Sequence, residues 1–145
     1  MFLDGLQRKL QTGLCLLGVL AAHGAAAEMV VIVGKGGPDA MTKEQVADVF
    51  LGKAASLPGG AAAAPQDQPE ASPLRDEFYT KMTGKSAAQA KAYWSKLAFT
   101  GKGTPPPEAA NSAAVKKAVA AAPGGIGYVE KAAADATVKV VLTVH

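Results

Sequence analysis

The stretch from residue 66 to residue 75 contains the residue types that could bind an anion. It reads QDQPEASPLR, a polar turn that leads into a predicted helix. Ser72 is a favourable N-cap residue and Pro73 suits the first helical position, so free backbone N–H groups would point towards the turn. The Ser72 hydroxyl and the Arg75 guanidinium would add two further donors for an anion. The alternative is structural: Ser72 only caps its helix, and Arg75 pairs with a surface carboxylate.

Other patterns of reactive residues are incomplete. Gly84-Lys85-Ser86 looks like the end of a nucleotide-binding P-loop, but Tyr79 stands where that motif needs its first glycine. Gly101-Lys102-Gly103-Thr104 fails in the same way, with Lys96 at that position. After residue 27 the chain has no cysteine and only one histidine, His145, so neither a metal site nor a nucleophile–histidine pair is indicated. We therefore predict a protein that is not an enzyme, with no catalytic residues, no metal and no cofactor.

Residues 1–27 have the three parts of a secretory signal peptide. Arg8 and Lys9 form a basic start, residues 14–22 are apolar, and Ala25-Ala26-Ala27 offers a cleavage site. A membrane anchor is the alternative, but the apolar run has roughly half the residues that a membrane-spanning helix needs. A lipid anchor at Cys15 is disfavoured because a leucine, not a small residue, precedes it. We predict export to the periplasm and a mature domain of residues 28–145 with no membrane span.

The composition of the chain fits one globular domain. Of its 145 residues, 49% are hydrophobic and 19% are charged, which argues against disorder. The formal net charge is +3, and the lysines are spread along the chain without an aromatic-interleaved basic patch. Nucleic-acid binding is therefore not predicted.

Hydrophobic patterns and turn residues outline the elements that would position the polar turn. Residues 29–33 form a continuous apolar run ended by Gly34, which is typical of a strand buried on both faces. Thr42 and Gln45 predict a capping box at the start of the first helix, so the chain begins like a βαβ unit. Further predicted elements are a weak strand at 61–66, helices capped by Ser72, Ser86 and Ser112, and strands at 126–129 and 138–144. We predict an α/β domain whose small, mixed or mostly parallel sheet is flanked by about four helices.

Apolar residues at helical spacing predict which faces of the helices are buried. In the second helix these are Leu74, Phe78 and Met82. In the third helix Trp94 belongs to a stripe that is predicted to pack against the sheet. The other members of that stripe are Ala87, Ala90 and Leu97.

Several blocks of the sequence follow one another in a familiar order. They are residues 46–53 (VADVFLGK), 67–78, Tyr93-Trp94, Phe99-Thr100-Gly101, and a final PGGIGYV at 123–129. The set resembles the phosphate-binding members of the periplasmic solute-binding protein superfamily, which serve ABC phosphate transporters. The resemblance covers roughly residues 30–129 and is most specific in the GIGYV block. It implies that the chain forms a single lobe of that fold.

The resemblance also implies which residues would meet a ligand. In that family the helix start after the second strand presents serine, glycine and threonine to phosphate, where this chain has Ser72, Pro73 and Leu74. Ser72 matches, whereas Pro73 lacks an N–H and Leu74 lacks a hydroxyl. An arginine usually precedes the serine by a few residues; Gln68 stands there, and Arg75 would have to substitute for it. The predicted ligand-binding residues are thus Gln68, Ser72, Leu74 and Arg75.

Energetics indicate weak binding at such a site. Micromolar affinity needs about 8 kcal/mol. Each charge-assisted hydrogen bond supplies about 1.5–3 kcal/mol, against an association cost of at least about 4 kcal/mol. The family closes two lobes over its ligand, and the resemblance covers one. We therefore expect a solute-binding-like protein that contacts phosphate or a similar oxyanion weakly, alongside a membrane transporter or sensor protein of an ABC-type system. The alternative is an interaction module that keeps the fold without a ligand.

Overall fold

The computed structural model describes residues 28–145, so the predicted signal peptide at 1–27 lies outside the described residues. This part of the chain forms four strands and four α-helices in the order β-α-β-α-α-α-β-β, with a short 3-10 helix at Lys131–Ala133 before the last strand. The strands are β1 (Met29–Gly34), β2 (Ala64–Pro65), β3 (Gly125–Glu130) and β4 (Val138–Val144). The helices are α1 (Lys43–Phe50), α2 (Pro73–Thr83), α3 (Ala87–Phe99) and α4 (Ser112–Ala121).

The four strands form one mixed sheet in the order β2-β3-β1-β4. Strand β1 pairs antiparallel with both β3 and β4, while the short β2 pairs parallel with β3. The predicted α/β class with a small mixed sheet is confirmed. The expected βαβ start is wrong, because β1 and β2 are not neighbours in the sheet: β3 lies between them.

Strand β1 is buried on both faces, as its sequence predicted. Val31 and Val33 face the core beneath α1 and α2, whereas Val30 and Ile32 face the side chains of α4. Successive side chains of a strand point to opposite faces, so a continuous apolar run can serve both layers. The sheet is therefore the middle layer of three.

An aromatic cluster fixes α2 against the sheet. The rings of Phe78 and Tyr128 stack with centroids 3.9 Å apart and an interplanar angle of 5°. Phe50 meets both rings edge-on, and Tyr79 packs edge-on against Phe78. Each such aromatic pair adds about 0.5–1.5 kcal/mol beyond the burial of its area. The cluster thereby holds the start of α2, with the predicted anion-binding turn, in a defined position.

The GIGYV block owes its glycines to the close approach of α4. A Cβ built on Gly127 would lie 2.5 Å from a methyl carbon of Val115, and one on Gly125 would lie 2.5 Å from the Val119 carbonyl oxygen. These contacts are too short for any side chain, so glycine is required for the helix to pack on β3.

Three of the four predicted helix caps are confirmed. The side chains of Thr42, Ser72 and Ser86 each accept a bond from a backbone N–H of the first helical turn. The prediction for α4 was wrong, because Asn111 is the N-cap and its side chain accepts from the Ala114 N–H at 2.9 Å. Ser112 is the first helical residue, and its hydroxyl accepts from the Gln68 side chain and donates to the Glu130 carboxylate.

Trp94 is buried, but it does not pack α3 on the sheet as predicted. Its indole N–H donates to the Phe50 carbonyl at 3.0 Å, at the C-terminal end of α1. Its ring lies against Gly52, whose positive φ of 74° ends that helix. Trp94 therefore joins α3 to α1. Of the rest of the predicted stripe, Ala90 is buried and Ala87 and Leu97 are half-buried.

Candidate functional site

Two distant loops meet at the start of α2. The backbone of Asp67, just after β2, donates to the Pro107 carbonyl at 2.8 Å and accepts from the Ala109 N–H at 2.9 Å. This short parallel bridge holds the segment Pro105-Pro106-Pro107 beside the turn that precedes α2. The polar turn therefore forms one wall of a cleft, and the proline segment forms another.

Asp67 is a buried carboxylate at the centre of this junction, with 1% of its surface exposed. It accepts hydrogen bonds from the hydroxyls of Tyr79, at 2.8 Å, and Tyr128, and it lies 3.9 Å from the nearer guanidinium nitrogen of Arg75. Burial raises the pKa of Asp67, although the two hydroxyls and Arg75 oppose that rise. Burial and the neighbouring carboxylate also raise the pKa values of both tyrosines.

Asp67 was not among the residues that the sequence predicted for the site. The sequence contains only part of the pattern that would have indicated Asp67, namely a charged residue directly after a strand candidate, followed by a helix that carries Arg75. The two tyrosines that bind it lie 12 and 61 residues further along the chain.

Gln68 is buried, and its side-chain amide nitrogen is bonded within the fold. Its amide nitrogen donates to the Tyr128 carbonyl at 2.9 Å and to the Ser112 hydroxyl at 3.0 Å. Its backbone N–H donates to the Tyr128 hydroxyl at 3.2 Å. Gln68 thus ties the turn to β3 and α4.

Arg75 is also buried, with 10% of its side chain exposed, and it is surrounded by acceptors. Its Nη1 donates to the Gln68 carbonyl at 3.2 Å and lies 3.2 Å from a carboxylate oxygen of Glu108. Burial would lower the pKa of Arg75, but Asp67 and Glu108 outweigh it and the pKa is raised. The Nε atom is buried and has no hydrogen-bond partner within the described part of the chain. Arg75 therefore pairs with two carboxylates, one buried and one half-exposed.

Ser72 and Leu74 form the start of α2 itself. The Leu74 N–H donates to the Ser72 hydroxyl oxygen at 3.2 Å, which is the capping bond of the helix. The Leu74 side chain is half-buried against the core, as its place in the apolar stripe predicted. The Leu74 N–H, one of the backbone donors at this helix start, is thus already bonded.

A cleft of about 640 Å³ opens beside Arg75. Its apolar walls are Trp94, Ala98 and the three prolines at 105–107, and its charged residues are Asp67, Glu70, Arg75, Lys91 and Glu108. Lys91 pairs with Glu70 at 2.7 Å, so both cations of the cleft already have carboxylate partners. Three carboxylates against two cations leave the cleft slightly acidic.

The four predicted residues do not meet at one surface. Arg75 lines this cleft, whereas Ser72 lines a neighbouring depression of about 560 Å³ on the far side of the Glu70–Lys91 pair. The side chains of Gln68 and Leu74 line neither.

Comparison with solved structures identifies the fold of this chain. No family model matches the sequence, and no curated protein matches it either. One similar solved structure is a Clostridium perfringens protein assigned as a phosphate ABC transporter substrate-binding protein, with phosphate bound (TM-score 0.63, 21% identity). Another is an ABC-type phosphate transport receptor from Vibrio cholerae (TM-score 0.62, 16% identity).

Each of these matches covers 79% of this chain but only 44% and 45% of the two larger proteins. The chain thus spans less than half the length of the structures that it resembles. It has the fold of a single periplasmic-binding-protein-like lobe, of the type found in phosphate-binding proteins, as the sequence blocks predicted. Among residues 28–145, no helix combines the length and the apolar character needed to cross a membrane.

Proposed function

We propose that this chain is a non-enzymatic, solute-binding-like protein of the periplasm that contacts phosphate or a similar oxyanion weakly, in connection with an ABC-type uptake or sensing system. The observation that carries the proposal is Arg75, a buried guanidinium that lines a cleft at the start of α2. A cationic side chain beside a helix start suits an oxyanion. The fold is one that phosphate-binding proteins share.

Weak binding follows from the state of the donors. The guanidinium is shared between Asp67 and Glu108, the Leu74 N–H is bonded to Ser72, and the Gln68 amide is bonded within the fold. An anion that bound Nη1 of Arg75, the Leu74 N–H or the Gln68 amide would have to displace the acceptor already there, so these bonds would replace existing ones. We expect a dissociation constant in the millimolar range, which corresponds to about 4 kcal/mol.

The test is a titration of residues 28–145 with phosphate and with sulfate, followed by calorimetry and by backbone amide chemical shifts. Shifts clustered at residues 68–75, with a millimolar midpoint for phosphate, are the expected result. Shifts clustered at residues 34–37 would move the site to the loop after β1. An unchanged spectrum at several tens of millimolar phosphate would contradict anion binding. An intact mass of exported protein that still included residues 1–27 would contradict export by a cleaved signal.

The second candidate is an interaction module that retains the fold without a ligand. Phe99 favours it, because 93% of this large apolar residue is exposed at the end of α3. The same helix supplies Trp94 and Ala98 to the apolar wall of the cleft. If this surface binds a transporter or sensor component, Phe99→Ser should reduce the yield of a co-purified partner. Val140→Ser, at a half-exposed site on β4, is the matched control, and equal yields from both variants would contradict the idea.

A further inference from the structure

The carboxylate of Glu108 lies where an oxyanion would find its donors. One of its oxygens accepts the Glu70 backbone N–H at 3.1 Å, and the other lies 3.2 Å from Nη1 of Arg75. A backbone N–H in a turn and an arginine guanidinium are the two kinds of donor that phosphate and sulfate sites combine. Here both are already occupied by a carboxylate of the chain itself.

Unlike the Asp67 carboxylate, the side chain of Glu108 is free to move away from Arg75. Asp67 is 1% exposed, with its backbone in the bridge to the proline segment and its carboxylate held by two tyrosines. The Glu108 side chain is 46% exposed and projects into the cleft from the far side of that bridge. A change of its rotamer would free the Glu70 N–H and one side of Arg75 without moving the backbone.

Arg75 has donor capacity beyond its present bonds. Its side chain is nine-tenths buried and lines the cleft, yet its Nε has no hydrogen-bond partner among the described residues. Buried guanidinium nitrogens are normally satisfied, so Arg75 retains one donor that the described residues leave without an acceptor.

We propose that Glu108 is a built-in competitor for the oxyanion position of this cleft, which phosphate or a similar anion must displace in order to bind Arg75 and the Glu70 N–H. The inference rests on the proposed function and explains its weakness. Bound anion and the Glu108 carboxylate would repel each other at close range, so the negative charge at position 108 limits affinity twice: it occupies the donors, and it stays close to them after it moves away.

The test compares Glu108→Gln with wild type and with a matched control, Glu77→Gln. Glutamine at position 108 still offers an oxygen to the Glu70 N–H but carries no charge. Glu77 lies on the same helix as Arg75, pairs with Lys81 at 2.9 Å and does not line the cleft. Glu77→Gln therefore changes the net charge by the same amount as Glu108→Gln, but away from the proposed site. Calorimetric titration with phosphate and with sulfate gives the affinities, and the amide shift of Glu70 reports occupancy at the site.

We expect Glu108→Gln to bind phosphate about tenfold more tightly than either wild type or Glu77→Gln, with the Glu70 amide among the strongest shifts. Equal millimolar binding by all three proteins would overturn the inference and leave the proposed function standing. Tighter binding by Glu108→Gln with no binding by wild type would support the inference and contradict native anion binding. No binding by any of them would overturn both, provided that thermal melts show each variant folded. A gain shared equally by Glu77→Gln would assign the effect to net charge and overturn the inference.

Discussion

Replacing Arg75 by alanine would remove the cation beside the buried Asp67 carboxylate. The sequence alone favours an expendable surface arginine, whose loss would weaken anion binding and leave stability almost unchanged. In the structure the guanidinium donates to the buried Gln68 carbonyl at 3.2 Å and lies 3.9 Å from Asp67. A hydrogen bond from a charged group contributes about 1.5–3 kcal/mol, and a buried charge left without its partner costs up to about 3–5 kcal/mol.

The cost of about 3–5 kcal/mol for an unpaired buried charge is an upper limit here, because Asp67 keeps the hydroxyl bonds of Tyr79 and Tyr128 and can take up a proton. We therefore expect Arg75→Ala to lower the free energy of unfolding by about 2–4 kcal/mol at pH 7. A domain of this size has about 5–15 kcal/mol in total, so the variant should still fold.

Urea unfolding at 25 °C, followed by tryptophan fluorescence, measures the loss. Lys81→Ala is the control, because Lys81 makes a partly exposed ion pair with Glu77 on the same helix and should cost less than about 1 kcal/mol. The loss from Arg75→Ala should also shrink at low pH, where protonation neutralises Asp67. If the two variants differ by less than about 1 kcal/mol at pH 7, the buried Arg75–Asp67 pair does not stabilise the fold and the reasoning is wrong.

Two further predictions concern stability. Trp94→Ala removes the ring packed on Gly52 and the bond to the Phe50 carbonyl, so the free energy of unfolding measured with denaturant should fall by about 3–5 kcal/mol. A fall of less than about 1 kcal/mol would mean that Trp94 does not anchor α3 to α1. Asp67→Asn should change how stability depends on pH. Burial raises the pKa of Asp67, so the folded state holds the carboxyl proton more tightly than the unfolded state does. The stabilisation from this proton is present at low pH and is lost as the pH rises through the folded pKa. Wild type should therefore lose stability relative to Asp67→Asn as the pH rises above about 4, the unfolded value. A constant difference between the two proteins in urea titrations at rising pH would contradict the assignment.

The helix starts were predictable because their interactions are local. The cap side chains of Thr42 and Ser86 bond to an N–H three residues ahead, and that of Ser72 bonds two residues ahead, all within the window that a sequence pattern covers. The error at α4 shows the limit of such patterns. Asn111 and Ser112 can both cap, and the hydroxyl of Ser112 is instead bonded to Gln68, in the turn before α2, and to Glu130, in β3.

The site was less predictable because its pairings depend on the path of the whole chain. Arg75 was expected to meet a surface carboxylate or an anion, and Glu108, 33 residues further on, is that surface carboxylate. Its approach depends on the bridge between Asp67 and the proline segment, which no local pattern encodes. The strand order has the same origin, since β3 reaches its place beside β1 only after four helices and β2 have intervened.

The interactions that hold this lobe together use the groups that its fold would otherwise offer to a ligand. Gln68 uses its amide to join the turn to β3 and α4, and Arg75 uses its charge to balance the buried Asp67. An anion gains little from groups engaged in this way, because a bond to one of them removes a bond from the fold. Glu108 is different, since it is half-exposed and its departure leaves the pairing of Arg75 with Asp67 intact. On the proposed mechanism, the affinity of the cleft for oxyanions is therefore governed by the charge at position 108 more than by the number of donors at the start of α2.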